Sequence, residues 1–340
     1  MAHVSLEDCF WALWLVTFVP ALWRLAHVLP SRAAWPGTWD DLGTVHVVYS
    51  SDVQGHAGLI NSMLSLTRHL AEPGNCYIHL LVPPADMRRA ADLVSCFRDE
   101  LAGVTVLPRV VLHELRPMQI DVSKLRVMKV RPELSNPTTY SRLYLPEYLP
   151  SVPRALWVDI DTIIQADVAP LYRMPMQHVV AAASESKFFY HLRKNAPNER
   201  LRNLVLQNLT PSSWFNPGVL LLDLRRWQAE GYTAVMESLI EATEGWMGDM
   251  MLLNVALCGK FDLLSNRWNH QCLATMFDHS VFEFMMRSAH VLHWSCSGNK
   301  PWKKDKPAAW SVNDHFFDAY GPRRHCAALD SSGAPAREKK

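Results

Sequence analysis

At 340 residues, 49% apolar and 20% charged, the chain can bury a sizeable core, which excludes disorder or collagen-like repeats as its organising theme. Lysine and arginine number 34 against 33 acidic residues, a formal net charge of +1, so the basic excess that duplex DNA or RNA demands is missing and no nucleic-acid partner is expected. Seven cysteines occur without any C-x-x-C pair, which argues against a zinc ribbon or a small disulfide scaffold.

Cys9 to Trp23 (CFWALWLVTFVPALW) carries no charge but falls short of the ~20 residues of a membrane helix. Extending the stretch to residues 9–29 reaches that length if Arg24 snorkels to the interface. This segment reads as a signal anchor or signal peptide, although Glu7 and Asp8 stand where a basic flank is usual. A buried helix and a membrane-surface helix are the alternatives. A linker of Pro, Gly and Trp (Ser31 to Gly43) follows.

From there strands and helices alternate. Val45 to Ser50 and Tyr77 to Val82 suit buried parallel strands, and Val104 to Leu112 suits a third. Leu59 to Leu70 and Met87 to Phe97 have helical spacing, as does Thr139 to Leu149 with Tyr140, Leu143 and Tyr144 on one face. Ala155 to Val158, Val219 to Leu224 and Ala289 to Trp294 are later strands. The alternation predicts an α/β fold, a Rossmann-like, mixed but mostly parallel sheet flanked by helices.

Asp159-x-Asp161 follows a buried strand, and open α/β sheets place their ligands at that end. Carboxylates two residues apart on an extended chain point to one side and suit Mg²⁺ or Mn²⁺. His293, ending another strand, is able to complete such a site and favours Mn²⁺. In the same segment Gly298 permits close approach of a phosphate, and Lys300 offers a cation for a departing diphosphate. Asp167 reads as a turn residue. Trp294 and Trp302 are expected to pack their loop, whereas Trp214 is divided between core packing and stacking on a sugar. His270, Cys272 and His279 lack a fourth ligand at zinc spacing and read as ordinary side chains. Asn208-Leu209-Thr210 is a sequon weakened by Pro211.

Five segments occur in one order: SRLYLPEYLP with Arg142, LWVDIDTII, FNPGVLLLDLRRW, DMMLLN with Asp249 and Asn254, and HWSCSGNKPW. The set resembles glycosyltransferase family 8, most of all its glycosyltransferase-8-domain and plant galacturonosyltransferase-like branches, over roughly Val45 to Trp310. The resemblance implies a GT-A fold, a UDP-sugar donor, Mn²⁺ (or Mg²⁺) as cofactor, and a glycan or glycoprotein acceptor. It further implies transfer with retention, by same-face attack in which the leaving phosphate oxygen accepts the acceptor's proton. Carried over by position, Asp159, Asp161 and His293 bind the metal, and Gly298 and Lys300 hold the diphosphate. Tyr49, Ser50, Ser51 and Asp52 form the uridine pocket, Arg142 reaches the donor, and Asn216 and Asp249 contact the transferred sugar. Asp159, Asp161 and Lys300 then carry the chemistry. A lumenal enzyme of the Golgi or another secretory membrane is implied, with a cytoplasmic one as the alternative.

Two departures from the family pattern matter. Lys300 lies seven residues after His293 rather than six, with Cys296 where a glycine is usual, so the extra residue either bulges outward or misplaces Lys300. Met250 stands where the family often has glutamine and cannot hydrogen-bond a sugar. A weakened member that binds a nucleotide sugar or a partner is therefore the alternative function. A metal-dependent phosphohydrolase would leave FNPGV and KPW unexplained. The expected division is an N-terminal segment (1–43), a catalytic domain (44–318) and a disordered tail (319–340).

Overall fold

The computed structural model describes residues 42–126, 136–185, 189–190, 199, 202–203, 209–275, 280–296, 298–303, 314–326 and 329. The apolar N-terminal stretch, Asn208, His279 and most of the C-terminal tail lie outside them.

Among the described residues nine strands form two sheets: β1 (Val45–Ser50), β2 (Cys76–Val82), β3 (Arg109–Glu114), β4 (Arg154–Val158), β5 (Thr162–Ile164), β6 (Val180–Ser184), β7 (Phe215–Asp223), β8 (Asp262–Leu264) and β9 (Val291–His293). The main sheet has the order β3-β2-β1-β4-β7-β6-β8, and β5 pairs with β9 alone. Within the described main sheet only β7 runs against its neighbours, the β1–β2, β2–β3, β1–β4 and β6–β8 pairs being parallel, and the separate β5–β9 pair is antiparallel. The principal helices are α1 (His56–His69), α2 (Met87–Glu100), α3 (Leu224–Ala229), α4 (Tyr232–Ala242) and α5 (Asp249–Leu257).

Strand alternation divides the core in two. Val45, Val47 and Tyr49 of β1, with Leu156 and Val158 of β4, face α1 and α2. Val48, Ala155 and Trp157 face the opposite layer, where α3, α4 and α5 pack. Both faces are therefore covered, as the nearly continuous apolar strand sequences require. A third cluster with Trp294, Phe316 and Phe317 surrounds the β5–β9 pair.

Three expected elements differ, each for a local reason. The third strand starts at Arg109 rather than Val104, because Pro108 lacks the N–H that a ladder needs. The helix expected over Thr139 to Leu149 is three short turns (Pro137–Tyr140, Ser141–Tyr144, Leu145–Tyr148), the last opening with Pro146. Tyr140, Leu143 and Tyr144 are nonetheless all buried. Cys326, expected in the tail, is bonded to Cys96 of α2 across 230 residues of sequence. That bond holds the segment after residue 318 against the domain.

β1 pairs with β2 on one side and β4 on the other, so the chain order reverses there. The turn after β1 and the Asp159-x-Asp161 segment after β4 thus share the crevice at a topological switch point.

Candidate active site

The backbone beyond β4 is held by β7, where Pro217 and Gly218 interrupt the pairing register with β6. This bulge turns the Gly218 carbonyl onto the Asp159 N–H (2.8 Å) and the Pro217 carbonyl onto Arg142 Nη1 (2.8 Å). Asp159 Oδ1 accepts from Trp157 Nε1 (2.8 Å) and Arg142 Nη2 (2.9 Å), which turns Oδ2 toward His293 (3.8 Å). Asp161 Oδ2 accepts from Lys300 Nζ (2.6 Å), and its Oδ1 lies 3.2 Å from His293 Nε2. Burial alone would raise the Asp161 carboxyl. The Lys300 ammonium and the His293 ring outweigh it and hold that carboxyl well below the usual range.

Pairing of Thr162 with His293 between β5 and β9 delivers the imidazole to the carboxylates. The Trp294 N–H donating to the Asp161 carbonyl (2.9 Å) locks that register. A chain of hydrogen bonds then sets the ring's tautomer. The Gly218 N–H donates to Asn216 Oδ1 (2.9 Å), so that amide oxygen also takes Asn269 Nδ2 (3.0 Å). Asn269 Oδ1 consequently faces His293 Nδ1 (2.8 Å), which must donate, and Nε2 is turned to the carboxylates. Such an arrangement is satisfied by a proton on Nε2 or by a cation between the three atoms. One ligand atom from each of Asp159, Asp161 and His293 lies within 4.8 Å of the others, and two carboxylates with an imidazole suit a divalent ion such as Mn²⁺. Gly218 is required by this packing, since a Cβ there would lie 2.1 Å from His293 Cε1.

Despite the extra residue between it and His293, Lys300 stays beside the carboxylates. Lys300 Nζ reaches both Asp161 and the Trp294 carbonyl (2.8 Å). Cys296 takes up the turn with φ +72°, a left-handed conformation, and is disulfide-bonded to Cys272. Beside Gly298 a Cβ would meet, among the described residues, only Lys303 Nζ at 3.9 Å.

Arg142, expected to reach the donor, acts chiefly inside the protein. It is buried, lies over the Trp157 ring (4.5 Å), bonds Thr139, Pro217 and Asp159, and sits 3.5 Å from Asp249 Oδ2. Asp249 opens α5, and Asn254 of that helix bonds both the N–H and the carbonyl of Phe215. Asn254 therefore fastens α5 to the start of β7. Asn216 and Asp249 are each nearly buried.

In the β1 turn, Ser50 Oγ donates to the Leu81 carbonyl and Ser51 Oγ to the Asp52 carbonyl. Asp52 accepts from the Gly55 N–H and from Asn136 Nδ2. Tyr49 requires a correction. Its side chain is wholly buried on the α1 side and bonded to Ser62, so the ring supports the crevice from within the core rather than facing it. Trp214 is likewise core, edge-on to Phe189 (6.1 Å), and does not stack on a sugar. Trp294 and Trp302 pack against Phe317, and Asp167 caps a turn at Ala169. Asn269 lies in none of the motifs, and Cys272, expected to be an ordinary side chain, is instead bonded to Cys296 of HWSCSGNKPW; both roles arise only where the chain runs beside β9.

The family model described as Glycosyl transferase family 8 matches residues 53–306. The chain is 25% identical over 297 residues to "Probable galacturonosyltransferase-like 4" of Arabidopsis thaliana, covering 83% of this chain and 80% of that protein. It is 26% identical over 290 residues to "Probable galacturonosyltransferase-like 6" of the same plant, covering 83% and 81%. Among solved structures it resembles the galactosyltransferase LgtC in complex with donor and acceptor sugar analogues, with TM-score 0.56 and 19% identity, covering 86% of this chain and 98% of that one. The glycosyltransferase GlyE of Streptococcus pneumoniae TIGR4 gives TM-score 0.56 at 18% identity, and the match covers 84% of this chain but only 62% of GlyE. These structural likenesses carry the fold, and the family match carries the reaction class. The chain belongs to glycosyl transferase family 8 and is a glycosyltransferase of the GT-A fold.

Proposed function

We propose that the protein is a metal-dependent, retaining glycosyltransferase that moves a hexosyl, pentosyl or hexuronosyl unit from a UDP-sugar to a glycan or glycoprotein. The carrying observation is the convergence of Asp159 Oδ2, Asp161 Oδ1 and His293 Nε2, with the remaining polar atom of each side chain held by Trp157 and Arg142, Lys300, or Asn269. Those three atoms would hold Mn²⁺, whose mixed nitrogen and oxygen preference they match. When bound, the ion supplies positive charge against the donor diphosphate.

The chain's own residues supply the rest. Lys300 is a fixed cation at the edge of the trio, able to share its ammonium between Asp161 and a departing phosphate oxygen. The missing side chain at Gly298 lets a phosphate lie against the backbone. Ser50, Ser51 and Asp52 form the nucleoside end of the crevice, and Asn216 and Asp249 its sugar side. As the bond from the anomeric carbon to the diphosphate oxygen breaks, positive charge develops on the sugar ring. The acceptor oxygen bonds to that carbon from the same face, and its proton passes to the departing phosphate oxygen. This route assigns no covalent nucleophile: Asp159 and Asp161 serve as ligands, Asp249 faces Arg142, and Asp52 accepts from Gly55 and Asn136.

Two disulfides among the described cysteines support an oxidising compartment. We therefore assign the catalytic domain to the secretory lumen, most naturally the Golgi, with residues 9–29 as its anchor. Among the described residues no helix is long and apolar enough to cross a membrane. The catalytic domain on this reading extends from residue 44 through Cys326.

A panel of UDP-galactose, UDP-glucose, UDP-xylose and UDP-galacturonic acid with Mn²⁺, against EDTA controls, tests the proposal. The names of the plant relatives make UDP-galacturonic acid the first to try. Metal-dependent UDP release that needs an acceptor and gives product of unchanged anomeric configuration is expected. Binding of UDP without turnover of any donor would favour the weakened, binding-only alternative. Diphosphate cleavage without an acceptor would point to a phosphohydrolase.

A further inference from the structure

We propose that the Cys272–Cys296 disulfide is a positioning element of the donor site, setting the segment with Lys300 against the segment with Asn269. The inference rests on the proposed roles of Lys300 and His293. Residues 269–272 run beside β9. The His270 N–H donates to the Val291 carbonyl (2.8 Å) and the His293 N–H to the His270 carbonyl (2.9 Å). Asn269 meets His293, and the Cys272 N–H donates to Ser295 Oγ (3.0 Å). The disulfide closes this zipper where the chain leaves β9 for Gly298 and Lys300.

Both bonded cysteines adopt left-handed backbone conformations, φ +65° at Cys272 and +72° at Cys296. Side-chain-bearing residues adopt such angles only where surrounding structure enforces them. Cys296 lies four residues before Lys300 and Cys272 three after Asn269. The bond thus ties the cation that grips Asp161 to the amide that orients His293. The other disulfide, Cys96–Cys326, joins α2 to the C-terminal segment and touches none of these groups.

Two double variants separate positioning from stability: Cys272→Gly/Cys296→Gly, in which glycine accepts both left-handed angles without a bond, and Cys96→Ser/Cys326→Ser. UDP affinity in the presence of Mn²⁺ is measured by calorimetry, well below each variant's thermal midpoint. The first variant should bind at least tenfold more weakly than wild type, and the second within twofold while melting earlier. Wild-type affinity in the first variant would overturn the inference, as would equal weakening in both. Should the first variant fail to fold, graded dithiothreitol treatment of the wild type replaces it, with thiol release followed by mass spectrometry. UDP affinity falling in step with release at Cys272 and Cys296 supports the inference; release with unchanged affinity overturns it. Failure of wild-type protein to bind UDP with Mn²⁺ would instead reject the proposed function itself.

Discussion

Gly218 shows how one missing side chain organises the site. A methyl group there would lie 2.1 Å from His293 Cε1 and 3.0 Å from Asn216 Oδ1, so the imidazole would have to leave Asn269. Gly218→Ala is expected to weaken Mn²⁺ binding by roughly 10- to 100-fold, the scale of losing an outer-shell partner. Overpacking should destabilise the fold by about 1–3 kcal/mol. A Mn²⁺ titration followed by electron paramagnetic resonance, beside a melting curve, checks both numbers. Asp161 is the complementary case, a proposed ligand whose charge rather than shape matters. Asp161→Asn should lower metal-dependent turnover by more than about 100-fold, exceeding the outer-shell scale. Circular dichroism should report an intact fold, and near-wild-type turnover would remove Asp161 from the metal site.

Among the elements, the first three strands carry a polar ladder that the donor site does not use. His46 Nδ1 meets His79 Nε2 at 3.0 Å, and His79 Nδ1 meets His113 Nε2 at 3.0 Å, linking β1, β2 and β3. Burial lowers all three histidines, and His79, also flanked by His46 and His113, falls to about 3. Folding therefore favours neutral His79. Its contribution is complete above pH 6.5 and declines as pH drops from 6.5 toward 3, where the unfolded chain takes a proton that the folded chain refuses. Between pH 6.5 and 5 this loss is about 2 kcal/mol at about 1.4 kcal/mol per unit. Denaturant midpoints across that range should fall for the wild type and stay flatter for His79→Gln.

On the scale of the whole molecule, Cys96–Cys326 closes a loop of 230 residues between a helix of the N-terminal half and the last described segment. Such a closure restrains the unfolded chain, and its loss should cost roughly 3–5 kcal/mol. Cys96→Ser/Cys326→Ser should accordingly melt well below the wild type in a calorimetric scan, whereas an unchanged midpoint would mean the bond is dispensable. The same long reach shapes the site. Lys300 bonds Asp161 across 139 positions, Arg142 bonds Pro217 across 75, and Asn269 meets Asn216 across 53.

Periodicity alone was enough to read β1, α1, β2, α2, β4 and the second half of β7, whose Phe215–Gly218 start it left out, because burial on a two- or 3.6-residue period leaves a local trace. Pro108 and Pro146 shifted the elements near them through a missing N–H, also a local effect. The ordered motifs pointed to Asp159, Asp161, His293 and Lys300, which the fold does bring together. Nothing local marked Asn269 as the residue that orients His293, or paired Cys272 with Cys296. Nor did the sequence reveal that Tyr49 turns into the core while its neighbours Ser50 to Asp52 form the turn above it. Those assignments depend on which strand edges meet and on which side of the sheet a side chain falls. Contacts of this kind are made by chain closure over dozens of residues, and short-range spacing holds no record of them.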